Sequence, residues 1–152
     1  MEIREDDLSG EAIRALLRVH FAGMLANSPP GHHHFLDVDG LKAPGVTFWS
    51  IWDGERLAGC GAMKQLDATH GEVKSMRTDA AFLGRGVGAA MLEHIVGVAR
   101  ARGYVRLSLE TGTGEAFAAA HRLYARRGFV PCGPFADYRA TDFNRFYTLS
   151  LS

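Results

Sequence analysis

The sequence is poor in three things: cysteine, charge of one sign, and long apolar runs. Each shortage removes a class of protein. The two cysteines, Cys60 and Cys132, lack the close pairing of a zinc site and are too few for a disulfide framework. Cys60 lies in the apolar, alternating run LAGCGAM, as a small core residue does, and both are expected as reduced thiols. Seventeen basic and seventeen acidic side chains cancel to a formal net charge of zero. The basic field that draws a chain to nucleic acid or anionic lipid is therefore missing, and no nucleic-acid partner is expected. No segment reaches the roughly 18 apolar residues of a membrane span. The opening MEIREDDLSG is acidic and has no apolar signal-peptide core. These shortages predict a cytoplasmic protein with no membrane partner, in which any anionic ligand is held by local geometry.

What is present reads as one domain over residues 1–152, a length that buries roughly 70% of the unfolded surface without staples. MEIRE alternates as a short first strand, and Ser9 or Asp7 is placed to cap the next helix. That helix, about 10–26, carries Ile13, Leu16, Leu17, His20, Phe21 and Met24 on one face and stops at NSPPG. A long irregular passage, 27–45, has the length of a substrate lid. VTFWSIW, DGER and LAGCGAMKQL form a hairpin signal, and a third strand runs from Glu72 to Thr78. Val87, Met91, Leu92, Ile95, Val96 and Ala99 give the next helix its buried stripe, closing at Gly103. YVRLSLET is a strand, EAFAAAHRLYARR a helix stopped by Gly128, and GFVPC and NRFYTLSL two last strands. The order β-α-β-β-β-α-β-α-β-β predicts an α/β fold with a mixed sheet and helices against it.

Between the third strand and its helix lies FLGRGVGAAM, with glycines at 84, 86 and 88. Closely spaced glycines let main-chain N–H groups approach a ligand, and a helix start adds the positive end of its dipole, so an anion such as a phosphate is the expected guest. The P-loop pattern G-x-x-x-x-G-K-[ST] is absent. G-R-G-V-G-A is a weak near-match to the dinucleotide fingerprint, and the three antiparallel-looking strands before it argue against that fold.

VKSMRT, L-G-R-G-V-G and AAMLEHIVGVARARG together resemble the strand, [QR]-x-x-G-x-[GA] loop and helix of the GCN5-related N-acetyltransferase (GNAT) family, and LYARRGFVPCG resembles its helix-to-strand junction. The likeness covers about Val46 to Pro134. More narrowly, GEVKSMRT, RLSLETG and GPFADY are similar to a bacterial subgroup of acetyltransferases with poorly defined substrates. The resemblance implies a central, mostly antiparallel twisted sheet of about seven strands, splayed between the fourth and fifth. It implies acetyl-coenzyme A as cosubstrate; no metal is expected, from the cysteine and histidine spacing. The pyrophosphate would lie on main-chain N–H groups of Leu83, Gly84, Arg85, Gly86, Val87, Gly88 and Ala89. Main-chain groups of Met76, Arg77 and Thr78 would pair with the pantetheine arm like an added strand. The splay would place a backbone N–H at the thioester oxygen.

Two positions depart from the family. Leu83 stands where Gln or Arg is usual, which leaves Arg85 as the nearest cation, and Phe117 stands seven residues before Tyr124 where many members have a cofactor-contacting Asn. By the same resemblance Tyr124 is the acid that hands a proton to the coenzyme A sulfur. Glu72 is the general base, acting directly or through water; a surface carboxylate at a strand end is the alternative. Lys74, Arg77 and Glu110 are candidates for substrate contact, with solvated surface positions as the equal alternative. HHHF at 32–35 carries a weak metal signal, since adjacent histidines cannot converge on one ion without strain, and a stronger one for a titrating loop. His70 and His121 are weaker candidates. Trp49 and Trp52 are assigned to the core ahead of an acceptor-pocket wall.

The functional expectation is acetyl transfer to a primary amine of a small molecule or peptide. A coenzyme A-binding sensor without turnover is the competing class, and a homodimer paired through sheet edges or C-terminal strands stays open.

Overall fold

The computed structural model describes residues 1–27 and 38–151, so the HHHF loop lies outside the described residues. At the Asp-Gly turn, β2 (Val46–Asp53) and β3 (Arg56–Asp67) pair antiparallel from Asp53↔Arg56 outward, with Gly54 at φ +60°. A second turn, in which Asp67 Oδ1 accepts from the Thr69 N–H at 2.8 Å, reverses the chain into β4 (His70–Thr78). This strand begins two residues earlier than its apolar pattern suggested. β1 (Glu2–Glu5) flanks β2. After β4, α3 (Val87–Ala101) carries the chain across one face of the sheet to β5 (Arg106–Gly112), parallel to β4. A 3-10 turn (Glu115–Phe117) and α4 (Ala118–Arg127) lead to β6 (Val130–Cys132) and β7 (Asn144–Ser150). The seven strands form one sheet in the order β1-β2-β3-β4-β5-β7-β6, antiparallel except at β4/β5.

Helices cover both faces because the strands alternate. Met63 on β3 points to the side where Met91, Leu92, Ile95 and Val96 of α3 are buried. Cys60 and Ala62 point to the other side, against Leu16 and Leu17 of α1 (Glu11–Ala26) and Leu41 of the short α2 (Val38–Leu41). The passage after α1 thus contains a helical turn that its composition did not announce. The N-terminal cap also differs from expectation. Gly10 is the cap residue and no side chain caps the helix; Ser9 and Asp7 instead bond each other, Ser9 Oγ donating to Asp7 Oδ1 at 2.6 Å.

The β4/β5 ladder contains only His70↔Arg106, Gly71↔Leu107 and Glu72↔Ser108. Beyond it β4 and β5 continue without pairing to each other, β4 staying on β3 and β5 on β7, so the sheet opens between them. The cause lies in β4: between Ala62↔Lys74 and Cys60↔Arg77, Ser75 and Met76 oppose the single residue Gly61. Ser75 takes φ +56°, and such a bulge bends the strand away from its neighbour.

Candidate active site

The opening between β4 and β5 holds a cleft of about 860 Å³ that reaches both faces of the sheet. Its walls come from α1, the end of β4, the glycine loop and α4. Met76, Arg77 and Thr78 line it along the unpaired stretch of β4, where main-chain groups that no strand satisfies face the space. Gly84 and Gly86 take φ +76° and +78°, a conformation that strains any residue with a Cβ, and Gly86 is the cap of α3. The N–H groups of the first turn, from Val87 on, have no intrahelical acceptor, and Val87 and Gly88 line the cleft. Gly84, Arg85, Gly86 and Ala89 are exposed beside it.

Leu83 is 66% exposed and lines the cleft with an apolar side chain. Cations stand close by. The guanidinium carbons of Arg85 and Arg56 lie 5.3 and 4.9 Å from the centre of the buried Phe82 ring, and Arg56 also lines the cleft. Arg56 carries no signal in the sequence; only the hairpin brings it to the loop.

Tyr124 lines the cleft from α4, is 7% exposed, and packs its ring on Phe129 at 5.8 Å. Burial pushes its hydroxyl up to about 12, so it holds its proton throughout the neutral range. Phe117 lines the same wall, its ring so close to Gly112 that a Cβ there would come within 2.4 Å of it.

Glu72 corrects the surface alternative: it is 2% exposed. Its Oε2 accepts from Tyr138 Oη at 2.5 Å and from Lys74 Nζ at 3.2 Å, while Lys74 also donates to Tyr138 Oη at 2.8 Å. The Lys74 and Glu72 side chains are 8% and 3% exposed, so neither is a solvated surface charge. Burial first, then the Glu72 charge and hydrogen bond, drive the Tyr138 phenol far above its ordinary pKa. The triad sits on the α1 side of the sheet, where the ladder ends. It does not line the cleft. On β5 the next residue of that face is Glu110, which accepts from Asn144 Nδ2 at 3.2 Å. The phenol comes from an irregular passage whose GPFADY was legible only as a likeness.

His20 was counted with the apolar stripe of α1, and it is buried there, 6% exposed, lining the cleft. A polar residue inside a buried stripe was the signal. Burial first, and the Arg77 charge second, hold its pKa down at about 4. His70 Nε2 bonds Ser108 Oγ at 2.7 Å, and His121 Nε2 bonds the Gly112 carbonyl at 2.8 Å; neither lines the cleft. Trp49 is buried in the core, edge-on to His94, and Trp52 is half-buried beneath Arg4, so neither forms a cleft wall. Cys60, whose thiol burial pushes up to about 12, and Cys132 are free. Among the described residues no cluster of three or more histidines, cysteines or carboxylates could hold a metal, and no helix is long and apolar enough to cross a membrane.

The sequence matches the model of the Acetyltransferase (GNAT) family over residues 12–129. It is 54% identical, over 98% of its own length and 94% of the other, to YedL of Escherichia coli (strain K12), an uncharacterized N-acetyltransferase. Among solved structures it superposes on an acyl-CoA N-acyltransferase candidate from Klebsiella pneumoniae with a TM-score of 0.84 and 26% identity, covering 99% and 97% of the two chains. A GNAT family acetyltransferase from Elizabethkingia anophelis with acetyl-CoA bound has the same fold, at a TM-score of 0.68 and 14% identity over 98% and 97% of the chains. Open sheet, glycine loop and family match agree: the chain belongs to the GNAT acetyltransferase family.

Proposed function

We propose that this protein transfers the acetyl group of acetyl-coenzyme A to a primary amine of a small molecule or peptide, by direct attack in a ternary complex. The observation that carries this reading is the parting of β4 and β5 after three residue pairs, which leaves a through-cleft between a phosphate-type loop and a protonated tyrosine. The loop from Leu83 to Ala89 takes the pyrophosphate on its N–H groups, with Arg85 and Arg56 as flanking cations. The unpaired main chain of Met76, Arg77 and Thr78 takes the pantetheine arm.

The amine nitrogen forms its bond to the thioester carbon while a backbone N–H beside the splay stabilises the developing oxyanion. As the C–S bond breaks, Tyr124 supplies a proton to the departing sulfur. Glu72, held by Tyr138 and Lys74, takes the proton that the amine releases, through water.

Leu83 and Phe117, apolar where the family carries polar cofactor contacts, favour a second reading, a coenzyme A sensor without turnover. One pair of measurements separates the two: thermal shift with coenzyme A and acetyl-coenzyme A, and thiol release with a library of amines. Turnover on any amine supports transfer. Cofactor binding with no turnover on the whole library would leave the sensor.

A further inference from the structure

On the α1 side of the cleft two polar groups lack the partners that buried polar groups ordinarily have. The register Cys60↔Arg77 turns the Arg77 side chain toward α1. There its guanidinium lies over Gly23, with Nη1 3.4 Å and Nη2 3.9 Å from where a Cβ of Gly23 would stand. Among the described residues this guanidinium makes no ion pair and donates no hydrogen bond. One helical turn before Gly23, His20 lines the same cleft. Its Nδ1 is buried with no hydrogen-bond partner, although the residue is 6% exposed.

Most buried polar atoms are hydrogen-bonded, and a half-buried cation without a counter-charge is costly. Ala12, Ala15, Leu16, Val19 and Met24 of the α1 wall are apolar. Asn27 gives its side-chain amide N–H to the Gly23 carbonyl, the cleft carboxylate Asp79 accepts from the Ala81 N–H, and neither bonds Arg77 or His20. A ligand that brings two acceptor oxygens and one negative charge satisfies both: a carboxylate accepts from the planar guanidinium fork and from a neutral imidazole N–H together. The phosphate loop opens α3, on the opposite face, and has Arg56 and Arg85 beside it. Arg77 and His20 therefore belong to the acceptor's side.

We propose that Arg77 and His20 bind a carboxylate of the acceptor, so that the substrate class is an amine bearing a carboxylate, of the amino-acid type. This rests on the acetyltransferase reading. Arg77 has two separate roles in it, its main chain toward the pantetheine arm and its side chain toward the acceptor. The apolar stretch of α1 then lies beside whatever side chain the acceptor carries.

The test compares thiol release from acetyl-coenzyme A with the proteinogenic amino acids and with their decarboxylated amines. Amino acids are expected to exceed the matching amines in kcat/KM by about tenfold or more, the effect of one charge-assisted pair. Arg77→Gln is expected to raise the KM for the amino acid and erase that preference, with the KM for acetyl-coenzyme A retained, and Arg77→Lys to restore part of it. Amines used as well as amino acids, or an Arg77→Gln variant that loses acetyl-coenzyme A and acceptor alike, would overturn the assignment. A binding measurement keeps the two readings separable: the His20 ring resonances of coenzyme A-loaded protein, followed on addition of propionate or of propylamine. Shifts with propionate alone, without turnover of any amine, would uphold the carboxylate site and sink the enzyme. Turnover of amines without a propionate response would do the reverse, and silence in both experiments would remove both.

Discussion

The Tyr138 phenol donates a 2.5 Å hydrogen bond to Glu72 Oε2 across 66 positions of sequence. Lys74 bonds the same two groups, so a buried carboxylate, an ammonium and a phenol close a three-membered ring. Removing one member leaves the other two with a partner missing, and Glu72 and the Lys74 side chain are buried. Tyr138→Phe deletes one hydrogen bond to a charged acceptor and is expected to cost about 1.5–3 kcal/mol. Lys74→Met leaves the Glu72 charge without its cation and is expected to cost more, about 3–5 kcal/mol. Urea unfolding at pH 7 ranks the two, and an equal or reversed order would mean that the phenol, and not the ammonium, is the main partner.

Tyr124→Phe keeps the ring and removes only the hydroxyl. It is expected to leave the melting temperature nearly unchanged while kcat falls by roughly 10²–10⁴. Because burial holds the hydroxyl near 12, wild-type kcat owes no decline below about pH 11 to Tyr124. An alkaline limb near pH 9 that disappears in Tyr124→Phe would mean that burial raises the hydroxyl less than this, and an unchanged kcat in Tyr124→Phe would remove its role as proton donor.

His20 makes stability depend on pH in a definite direction. The unfolded chain takes up its imidazole proton near 6.5, whereas burial first and the Arg77 charge second hold the folded value near 4. Between these values the unfolded state binds more protons, so stability is complete above the upper value and is lost as pH falls toward the lower. The loss reaches about 3 kcal/mol at most. Comparing urea midpoints at pH 7 and pH 4.5 isolates the contribution: the drop should be larger in wild type than in His20→Leu, and equal drops would refute it.

Gly59 lies under the main chain that the cleft uses. A Cβ there would meet the Arg77 carbonyl oxygen at 2.6 Å and Val87 Cγ1 at 3.0 Å, so Gly59→Ala must move either β4 or the start of α3. An overpacking cost of about 1–3 kcal/mol is expected. The thermal shift given by acetyl-coenzyme A should shrink with it. An unchanged shift would mean that the end of β4 does not hold the ligand.

Much of this architecture was legible because its causes are local. The Asp53-Gly54 turn, the stripe from Val87 to Ala99 and the stop at Gly128 each depend on residues a few positions apart. Less was legible where a distant group intervened. For Glu72 and Lys74 the surface alternative stayed open beside the functional one, because nothing in GEVK shows that Tyr138 will cover them. His20 read as one member of a stripe, since its lack of a partner depends on what Arg77 brings from β4. At Ser9 the side chain found Asp7 before it could reach the helix, and Gly10 took the cap.

Periodicity, turn residues and the glycine spacing determined the element order, the mixed sheet and the left-handed glycine turn that opens α3, since backbone sterics and solvation act over single turns. The likeness to the family placed the opening between the fourth and fifth strands; tertiary structure alone decided what opens the sheet there and which charges end inside it. The bulge at Ser75 exists only against the register of β3, and a buried ion pair exists only when a third element excludes water from it.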